Sequence, residues 1–261
     1  MNRFHFLGLL LLGGVMSRAC CNAAVAAENA LPQCYELRIY SAADGKLDAL
    51  NTRFREHTTQ LFVRHGMTNV GYWLPIDNPK RRLVYLLAYP DRAARETSWK
   101  AFNADPEWIS VRNASESTGK IVSKVESRFL TPTDFSPEMK VMPGEGVHTF
   151  EIRTYTTTPG NLPRLLDRFR RHTLELFSKH GMQHFCYFTL MPGQPASDET
   201  LIYFLVHATP ASRDVSFAAF GADPEWIQVK SESEVAAGGP LTVPDGVKSE
   251  LLKATDYSPV K

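Results

Sequence analysis

Two histidines at equivalent positions of a repeated segment are the leading candidates for acid-base chemistry. His57 lies about 60° from the centre of the apolar stripe of a predicted helix, where its side chain is expected to reach a pocket between helix and sheet. His172 occupies the same place in the second copy. Imidazole can act as an acid, a base or a metal ligand near neutral pH. The competing interpretation is a structural histidine that is hydrogen-bonded to a strand carbonyl, because duplication repeats structural residues too.

Charged residues two positions apart form the second candidate group. Arg38 follows Glu36, and Arg153 follows Glu151. Side chains two apart on a strand share a face, so each arginine arrives with its own carboxylate. The two arginines are candidates for binding an anionic ligand. A structural ion network is the favoured alternative, because buried charges are tolerated when they are paired.

Aromatic side chains are further candidates for lining a ligand pocket. Trp108 and Trp226 each follow an Asp-Pro-Glu segment, and Tyr72 and Tyr187 occupy equivalent positions of the repeat. Ordinary anchoring of the core against a sheet is the default interpretation of the two tryptophans. The two tyrosines carry the same ambiguity.

A metal or haem site is conceivable in the second copy alone. Strict alternation along a strand would place His184 and Cys186 on one face, where the first copy has Asn69 and Gly71. A coordination set normally needs three or four protein ligands. The sequence therefore predicts no metal site and no cofactor.

Several classes of protein are excluded by motif and composition. The chain beyond residue 27 has no Cys-x-x-Cys, no Gly-x-Ser-x-Gly, no phosphate loop and no dinucleotide fingerprint, which argues against serine esterases, NTPases and Rossmann dehydrogenases. With 43% hydrophobic residues, 22% charged residues and a net charge of +1, the 261-residue chain is typical of a folded protein. It has no basic excess that would predict a nucleic-acid partner.

An internal repeat determines how every residue is interpreted. Residues 36–72 align without gaps on residues 151–187, with 17 of 37 positions identical. An Ala-Asp-Pro-Glu-Trp-Ile segment and a closing Thr-Asp-aromatic-Ser-Pro segment also occur twice. This similarity indicates tandem duplication. It predicts one domain over residues 34–140 and another over 147–261, joined by a linker across 137–146.

Within each copy the periodicity predicts the order β-α-β-β-α-β. In the first copy, strands are expected at 35–40, 67–74, 83–89 and 122–130. A helix over 47–65 ends at a glycine, and Asp91 and Asp105 each begin another helix. His65 and its counterpart His180 are expected to be structural residues at helix C-termini, where a cation suits the helix dipole. The order predicts an α+β fold of two ferredoxin-like domains.

Helices cover one face of such a sheet and leave the other bare. The residues expected on the bare face of the first copy are Tyr40, Met67 and Trp73, and those of the second copy are Tyr155, Met182 and Phe188. Two sheets that face each other would cover both, so the sequence predicts an intramolecular dimeric α+β barrel, packed sheet to sheet with helices outside. In that arrangement, we expect Glu36, Arg38, Glu151 and Arg153 to point into the space between the sheets.

The N-terminus has the order of a secretory signal peptide. Arg3 precedes an apolar run over 4–16, and small residues follow through Ala27. We expect removal of residues 1–27 and export to the periplasm or outside the cell. No later run is long enough to predict stable membrane insertion. The remaining cysteines, Cys34 and Cys186, lie in apolar strand-like runs and are expected to be buried free thiols.

The repeated sequence segments resemble those of the NIPSNAP family, which belongs to the dimeric α+β barrel superfamily. The resemblance rests on Tyr-Glu-Leu-Arg-Ile-Tyr at 35–40, on the helix ending in His-Gly-Met and on Ala-Asp-Pro-Glu-Trp, and it covers roughly residues 34–261. It implies paired ferredoxin-like domains, with the contact between them replacing the usual homodimer. It implies no particular reaction, because relatives in the wider superfamily include cofactor-free oxygenases, haem enzymes and isomerases.

Three functional hypotheses follow. The first is an exported protein that binds a small, largely apolar molecule in pockets between sheet and helices. The second is a cofactor-free oxygenase or isomerase with His57 or His172 as general base. The third is a structural or interaction module that uses its outer helices. Further oligomerisation of the internal pseudo-dimer stays open.

Overall fold

The computed structural model of the protein describes residues 33–139 and 148–261. The predicted signal peptide, the predicted domain ends at 140 and 147, and most of the linker lie outside these residues. Among the described residues, no helix combines the length and apolar character needed to span a bilayer.

The first half follows the predicted order of elements. Helix α1 contains a π-helical turn between two α-helical segments, and two further helices follow β3. The elements are β1 (Cys34–Ala42), α1 (Leu47–Arg53, π turn Phe54–Thr58, Thr59–Arg64), β2 (Thr68–Pro75), β3 (Arg82–Tyr89), α2 (Arg92–Ala104), α3 (Pro106–Ser115) and β4 (Val122–Pro132).

The second half repeats this order, including the π-helical turn. Its elements are β5 (Thr149–Thr157), α4 (Leu162–Arg168, π turn Phe169–Thr173, Leu174–Lys179), β6 (Gln183–Leu190), β7 (Thr200–His207), α5 (Pro210–Ala222), α6 (Pro224–Ala237) and β8 (Thr242–Ala254).

The eight strands form a closed antiparallel barrel. Each half contributes four strands, in the orders β4-β1-β3-β2 and β8-β5-β7-β6. Two short ladders close the barrel, where residues 73–75 of β2 pair with 252–254 of β8 and residues 130–132 of β4 pair with 188–190 of β6. The predicted intramolecular α+β barrel is confirmed.

Aromatic and aliphatic side chains pack the barrel interior. Trp73 contacts Phe204 and Phe150, with ring centroids 5.3 and 5.4 Å apart, and Phe188 belongs to the same buried cluster. The prediction that Trp73 and Phe188 face the space between the sheets is therefore confirmed. Packing of large rings from both halves stabilises the closed sheet.

The predicted direction of the charged pairs is wrong. Glu36 and Arg38 do not point between the sheets but lie on the outer side of β1, beneath the helices, where they contact residues of α2. Glu151 and Arg153 lie beneath α5 in the same way. Tyr35 and Leu37, which flank Glu36 in the sequence, lie on the opposite face of β1 and pack inside the barrel.

Four predicted bare-face residues also lie beneath the helices, namely Tyr40, Met67, Tyr155 and Met182. The physical reason is that apolar side chains on the opposite strand face fill the barrel interior. The layer between sheet and helices, in contrast, supplies polar partners for buried charge.

Two of the repeated sequence segments contact each other through a histidine and an aspartate. His65 ends α1, and its Nε2 lies 2.7 Å from Oδ2 of Asp105. The other carboxylate oxygen of Asp105 accepts the backbone N–H groups of Glu107 and Trp108, which caps α3. Gly66 allows the chain to leave α1 with φ of +76°. The predicted place of His65 at the helix C-terminus is confirmed.

The second half repeats this arrangement with His180 and Asp223, again 2.7 Å apart. The predicted place of His180 is therefore confirmed as well.

The closing Thr-Asp-aromatic-Ser-Pro segments cross between the halves. The segment after β4 reaches β6, where the N–H of Thr133 donates to the carbonyl of Tyr187 at 3.0 Å. The segment after β8 reaches β2, where the N–H of Thr255 donates to the carbonyl of Tyr72 at 2.9 Å. Each half thus covers an edge strand of the other.

Side chains of these exchanged segments contact the first helix of the opposite half. Arg55 forms a bidentate pair with Asp256, at 2.6 and 2.8 Å, and the hydroxyl of Tyr257 donates to Asn51 at 2.7 Å. Arg170 pairs with Asp134 in the same manner. The exchange fixes α1 and α4 against the sheet.

Cys34 and Cys186 are buried free thiols, as predicted. Cys34 packs in the layer beneath the helices, and Cys186 packs inside the barrel. The sheet separates them.

The exchanged segments generate a test of stability. Tyr257→Ala should lower the free energy of unfolding by about 2 kcal/mol, because its ring packs against Tyr72 at 5.5 Å. Tyr257→Phe keeps the ring, loses the bond to Asn51 and should cost about 1 kcal/mol. Urea denaturation measures both, and the exposed Val215→Ala should change stability by less than about 0.5 kcal/mol. Equal stability of Tyr257→Ala and wild type would contradict this packing.

Candidate functional site

A cavity of about 340 Å³ lies between sheet and helices in the first half. Strand β1 and helices α1, α2 and α3 supply the residues around it. Its lining residues are Arg38, Tyr40, Arg53, Phe54, Thr58, Phe62, Arg95, Trp99, Phe102, Asn103, Trp108 and Arg112. We call this space the first-half cavity.

A fully buried carboxylate lies beside the cavity and fixes three elements. Glu36 on β1 accepts hydrogen bonds from Arg95 of α2 at 2.7 and 2.9 Å. It also accepts from Arg38 at 2.5 Å, from Ser127 of β4 at 2.6 Å and from the indole N–H of Trp99 at 3.0 Å.

The environment of Glu36 keeps its carboxylate ionised. Burial raises the pKa of this group, but the hydrogen bond from Arg95, the charge of Arg38 and the hydrogen bond from Ser127 outweigh burial and lower the pKa to about 2. An ionised and fully bonded Glu36 makes the cavity wall rigid.

Arg38 is engaged on every donor nitrogen. Besides its bond to Glu36, its Nε donates to the hydroxyl of Tyr85 at 2.9 Å, and its Nη2 donates to the hydroxyl of Tyr40 at 3.1 Å. The guanidinium lies 4.2 Å from the ring centroid of Trp99. The contacts of Arg38 therefore favour a structural ion network for this residue.

Flat aromatic rings form another part of the wall. Phe102 and Trp108 pack with their centroids 4.5 Å apart, and Trp99 contacts Phe102 edge to face at 5.5 Å. Trp108 is among the residues around the cavity, and its part in ligand binding stays a prediction. The rings offer apolar surface beside the arginine side chains.

Two further arginines come from different helices. Arg53 of α1 is 5% exposed, lies 5.2 Å from the Trp108 ring centroid and donates from Nη1 to Ser115 and Glu116 at 3.3 and 3.1 Å. Arg112 of α3 is exposed at the cavity. Sequence reasoning missed both, although Arg53 and Arg168 are identical in the repeat alignment and that identity was available as a signal.

The second half preserves the carboxylate network, but the residue type differs at two of the positions around the carboxylate. Glu151 accepts from Arg153 at 2.6 Å and from Arg213 at 2.8 Å. His207 stands where the first half has Tyr89, with its Nε2 3.0 Å from Glu151. Burial raises the pKa of Glu151, but the hydrogen bonds from His207 and Arg213 and the charge of Arg153 lower it well below its usual value.

Neither candidate catalytic histidine lines the first-half cavity. His57 lies in the π turn of α1 and borders a groove of about 400 Å³ between α1 and α3, with its side chain 42% exposed. His172 borders an equivalent groove of about 420 Å³ between α4 and α6. Both histidines therefore face spaces between two helices. The sequence had predicted that they would reach a pocket between helix and sheet.

The remaining aromatic candidates are in the packed layer under the helices. Tyr72 donates to Asn69 at 2.6 Å, and burial raises the pKa of its hydroxyl. Burial likewise raises the pKa of Tyr187. Trp226 packs on Phe220 with centroids 4.4 Å apart and under Arg168 at 5.2 Å, as Trp108 does under Arg53.

The expected shared face of His184 and Cys186 is wrong. A register shift between these residues in the β6 and β7 ladder turns Cys186 into the barrel, while His184 stays beneath the helices. The two ring nitrogens of His184 lie 2.6 Å from the Tyr187 hydroxyl and 3.1 Å from the Leu174 carbonyl. In the described parts of the chain, no group of three or more His, Cys, Asp or Glu residues could hold a metal ion.

The fold and its paired sheet-helix layers define a dimeric α+β barrel built from a single chain. The sequence profile of the NIPSNAP family matches twice, at residues 35–137 and 150–259. The chain therefore belongs to the NIPSNAP family, as a tandem duplication. No curated protein sequence matches it at a significant level.

Two solved structures of low sequence identity share the fold over most of this chain. A putative monooxygenase from Fusobacterium nucleatum is similar over 85% of this chain and 92% of its own, with 10% identity and a TM-score of 0.56. One from Lactobacillus acidophilus is similar over 87% and 98%, with 10% identity and a TM-score of 0.52. A NIPSNAP domain protein from Burkholderia xenovorans is 22% identical over 40% of this chain and 99% of its own, with a TM-score of 0.36.

The buried carboxylate predicts how stability depends on pH. Glu36 has a pKa of about 2 when folded and an ordinary value of 4.5, so its ionised form stabilises the fold above pH 4.5, and this contribution is lost as the pH falls from 4.5 towards 2. Glu36→Gln should lower the free energy of unfolding by about 3 kcal/mol at pH 7, since it leaves buried cations unpaired. The difference from wild type should shrink below pH 4.5.

Urea unfolding between pH 7 and pH 3 measures this difference. Glu126→Gln, which changes an exposed carboxylate paired with Lys124, serves as the control and should have a small effect at every pH. A constant difference between Glu36→Gln and wild type across this range would show that Glu36 does not titrate as inferred.

Proposed function

We propose that this protein is exported and binds a small molecule with a flat, largely apolar body in the first-half cavity. The observation that carries the proposal is that tryptophan and phenylalanine rings and arginine side chains surround the same cavity. Ligand pockets are typically concave, mainly apolar and equipped with a few placed polar groups. The cavity volume of about 340 Å³ is at the small end of that class.

Rigidity of the cavity supports binding without large rearrangement. Glu36 holds β1, α2 and β4 together, and the exchanged segment with Asp256 holds α1 from the opposite half. A preorganised wall reduces the conformational entropy lost when a ligand binds.

The alternative of a histidine-based oxygenase or isomerase stays a prediction. Each candidate base lies in a π-helical turn, a feature that is frequent at functional sites, and this favours testing His57 and His172. Both rings border open grooves between helices and lie outside the lining of the first-half cavity. The proposal therefore assigns them no role in binding, and the interaction-module hypothesis stays a prediction as well.

Export has its own test. If the N-terminal segment is a signal peptide, the protein recovered from the periplasm or medium of its host should begin near Ala27 or Glu28. N-terminal sequencing or intact-mass measurement reads this directly. Recovery of the chain with Met1 from the cytoplasmic fraction alone would contradict export and leave the cavity proposal standing.

Blocking the cavity tests the ligand proposal. N-phenyl-1-naphthylamine, a neutral aromatic fluorophore, should bind and gain fluorescence in the cavity. Asn103→Trp adds a ring at an exposed lining position and should weaken this binding at least about tenfold by steric exclusion. Lys100→Trp, on an exposed position of the same helix that does not line the cavity, is the matched control.

Fluorescence titration of the two variants and wild type gives the three affinities. Absence of binding to wild type, or equal weakening by Asn103→Trp and Lys100→Trp, would overturn the cavity as the binding site.

A further inference from the structure

The first-half cavity is surrounded by positive charge. Four of its twelve lining residues are arginines, on β1, α1, α2 and α3, and none is a carboxylate. By contrast, the grooves that border His57 and His172 each contain acidic lining residues. The first-half cavity therefore differs from these two grooves in having no acidic lining residue.

Pairing accounts for three of the four arginines. Glu36 contacts Arg38 and Arg95, and Glu116 contacts Arg53 at 3.1 Å. Within the described residues, the side chain of Arg112 makes no hydrogen bond or ion pair. One cationic group at the cavity thus lacks an acidic partner among residues 33–139 and 148–261.

Arg53 is the second independent observation. It is 5% exposed, and its Nε has no hydrogen-bond partner within the described residues. A buried donor without a partner costs free energy. Glu116, its one carboxylate partner in the described part of the chain, is itself 26% exposed to solvent. Arg53 therefore keeps a buried positive charge beside the cavity that the protein compensates only in part.

The second half keeps this charge pattern. Arg168 and Lys230 stand where the first half has Arg53 and Arg112, and the Nε of Arg168 is also buried without a partner. The aromatic wall changes over the same comparison, since Phe217 replaces Trp99. The positive charges at these two positions are thus the same in both halves, although the residues equivalent to Trp99 and Asn103 differ.

We infer that the ligand of the first-half cavity is an organic acid, whose anionic group lies at Arg53 and Arg112 and whose flat body lies along Trp99 and Trp108. This inference rests on the proposed function and adds the charge of the ligand to it. A carboxylate or sulfonate matches guanidinium donors in geometry and charge. Arg112 is the one cavity arginine without a partner where the structure describes the chain, which fits a ligand with one negative charge.

A pair of fluorophores separates charge from shape. 8-Anilinonaphthalene-1-sulfonate has the same aromatic body as N-phenyl-1-naphthylamine and adds one sulfonate. Wild-type protein should bind the sulfonate about tenfold more tightly than the neutral compound, because the anion gains charge-assisted hydrogen bonds. Fluorescence titration of folded protein at pH 7 gives both affinities.

Substitution of Arg112 identifies the group responsible. Arg112→Gln should weaken sulfonate binding about tenfold and leave the neutral compound unchanged. Lys100→Gln removes an equal charge from an exposed neighbouring position outside the cavity lining and should change neither affinity. Arg112 has no partner within the described residues, so its substitution should not unfold the protein, and circular dichroism checks this.

The outcomes distinguish the two proposals. Equal affinities for both fluorophores, or sulfonate binding unaffected by Arg112→Gln, would overturn the organic-acid inference while neutral binding still supports the cavity. Sulfonate binding that persists in Asn103→Trp would place the anion elsewhere and overturn the inference as well. Absence of binding by either compound would overturn both proposals.

Discussion

A buried carboxylate beneath the helices of each half is the constraint on which the surrounding structure depends. Removing Glu36 or Glu151 from water is costly unless cations and hydrogen-bond donors replace the lost hydration. Those donors come from a strand on one side and a helix above, so satisfying the carboxylate also sets the position of α2 or α5. Arg38 completes the arrangement by bonding two tyrosine hydroxyls and stacking on a tryptophan. The cavity wall is a consequence of this arrangement.

The two halves complete each other as well as repeating each other. The ladders that close the barrel are only three residues long on each side, and the exchanged terminal segments extend the contact to the opposite helices. Arg55 of α1 is held by Asp256 from the second half, and α1 also carries Arg53, which borders the cavity. A site that lies within one half therefore depends on the other half for its geometry.

Local sequence patterns predicted most of the fold, whereas the site needed contacts that local patterns do not encode. Periodicity and capping residues place the strands and helices of both copies within a few positions, because these signals act over short distances. Alternation gave two faces for β1 but did not identify the face that enters the barrel, and Glu36 was assigned to the wrong one. A bulge between His184 and Cys186 defeated strict alternation in the same way. Arg53 and Arg112 are separated by a strand pair and a helix, so their meeting at one cavity was not predicted.

The sequence by itself determined the duplication, the order of elements, the paired α+β architecture and the family, because each depends on repeated sequence segments and local periodicity. Only the tertiary structure decided which side of each sheet carries charge, how the closing segments exchange, and which arginines surround a common space. Those features depend on competition for burial between a dry barrel and a polar layer under the helices. The outcome of that competition depends on the partners available at each buried charge, and these come from distant parts of the chain.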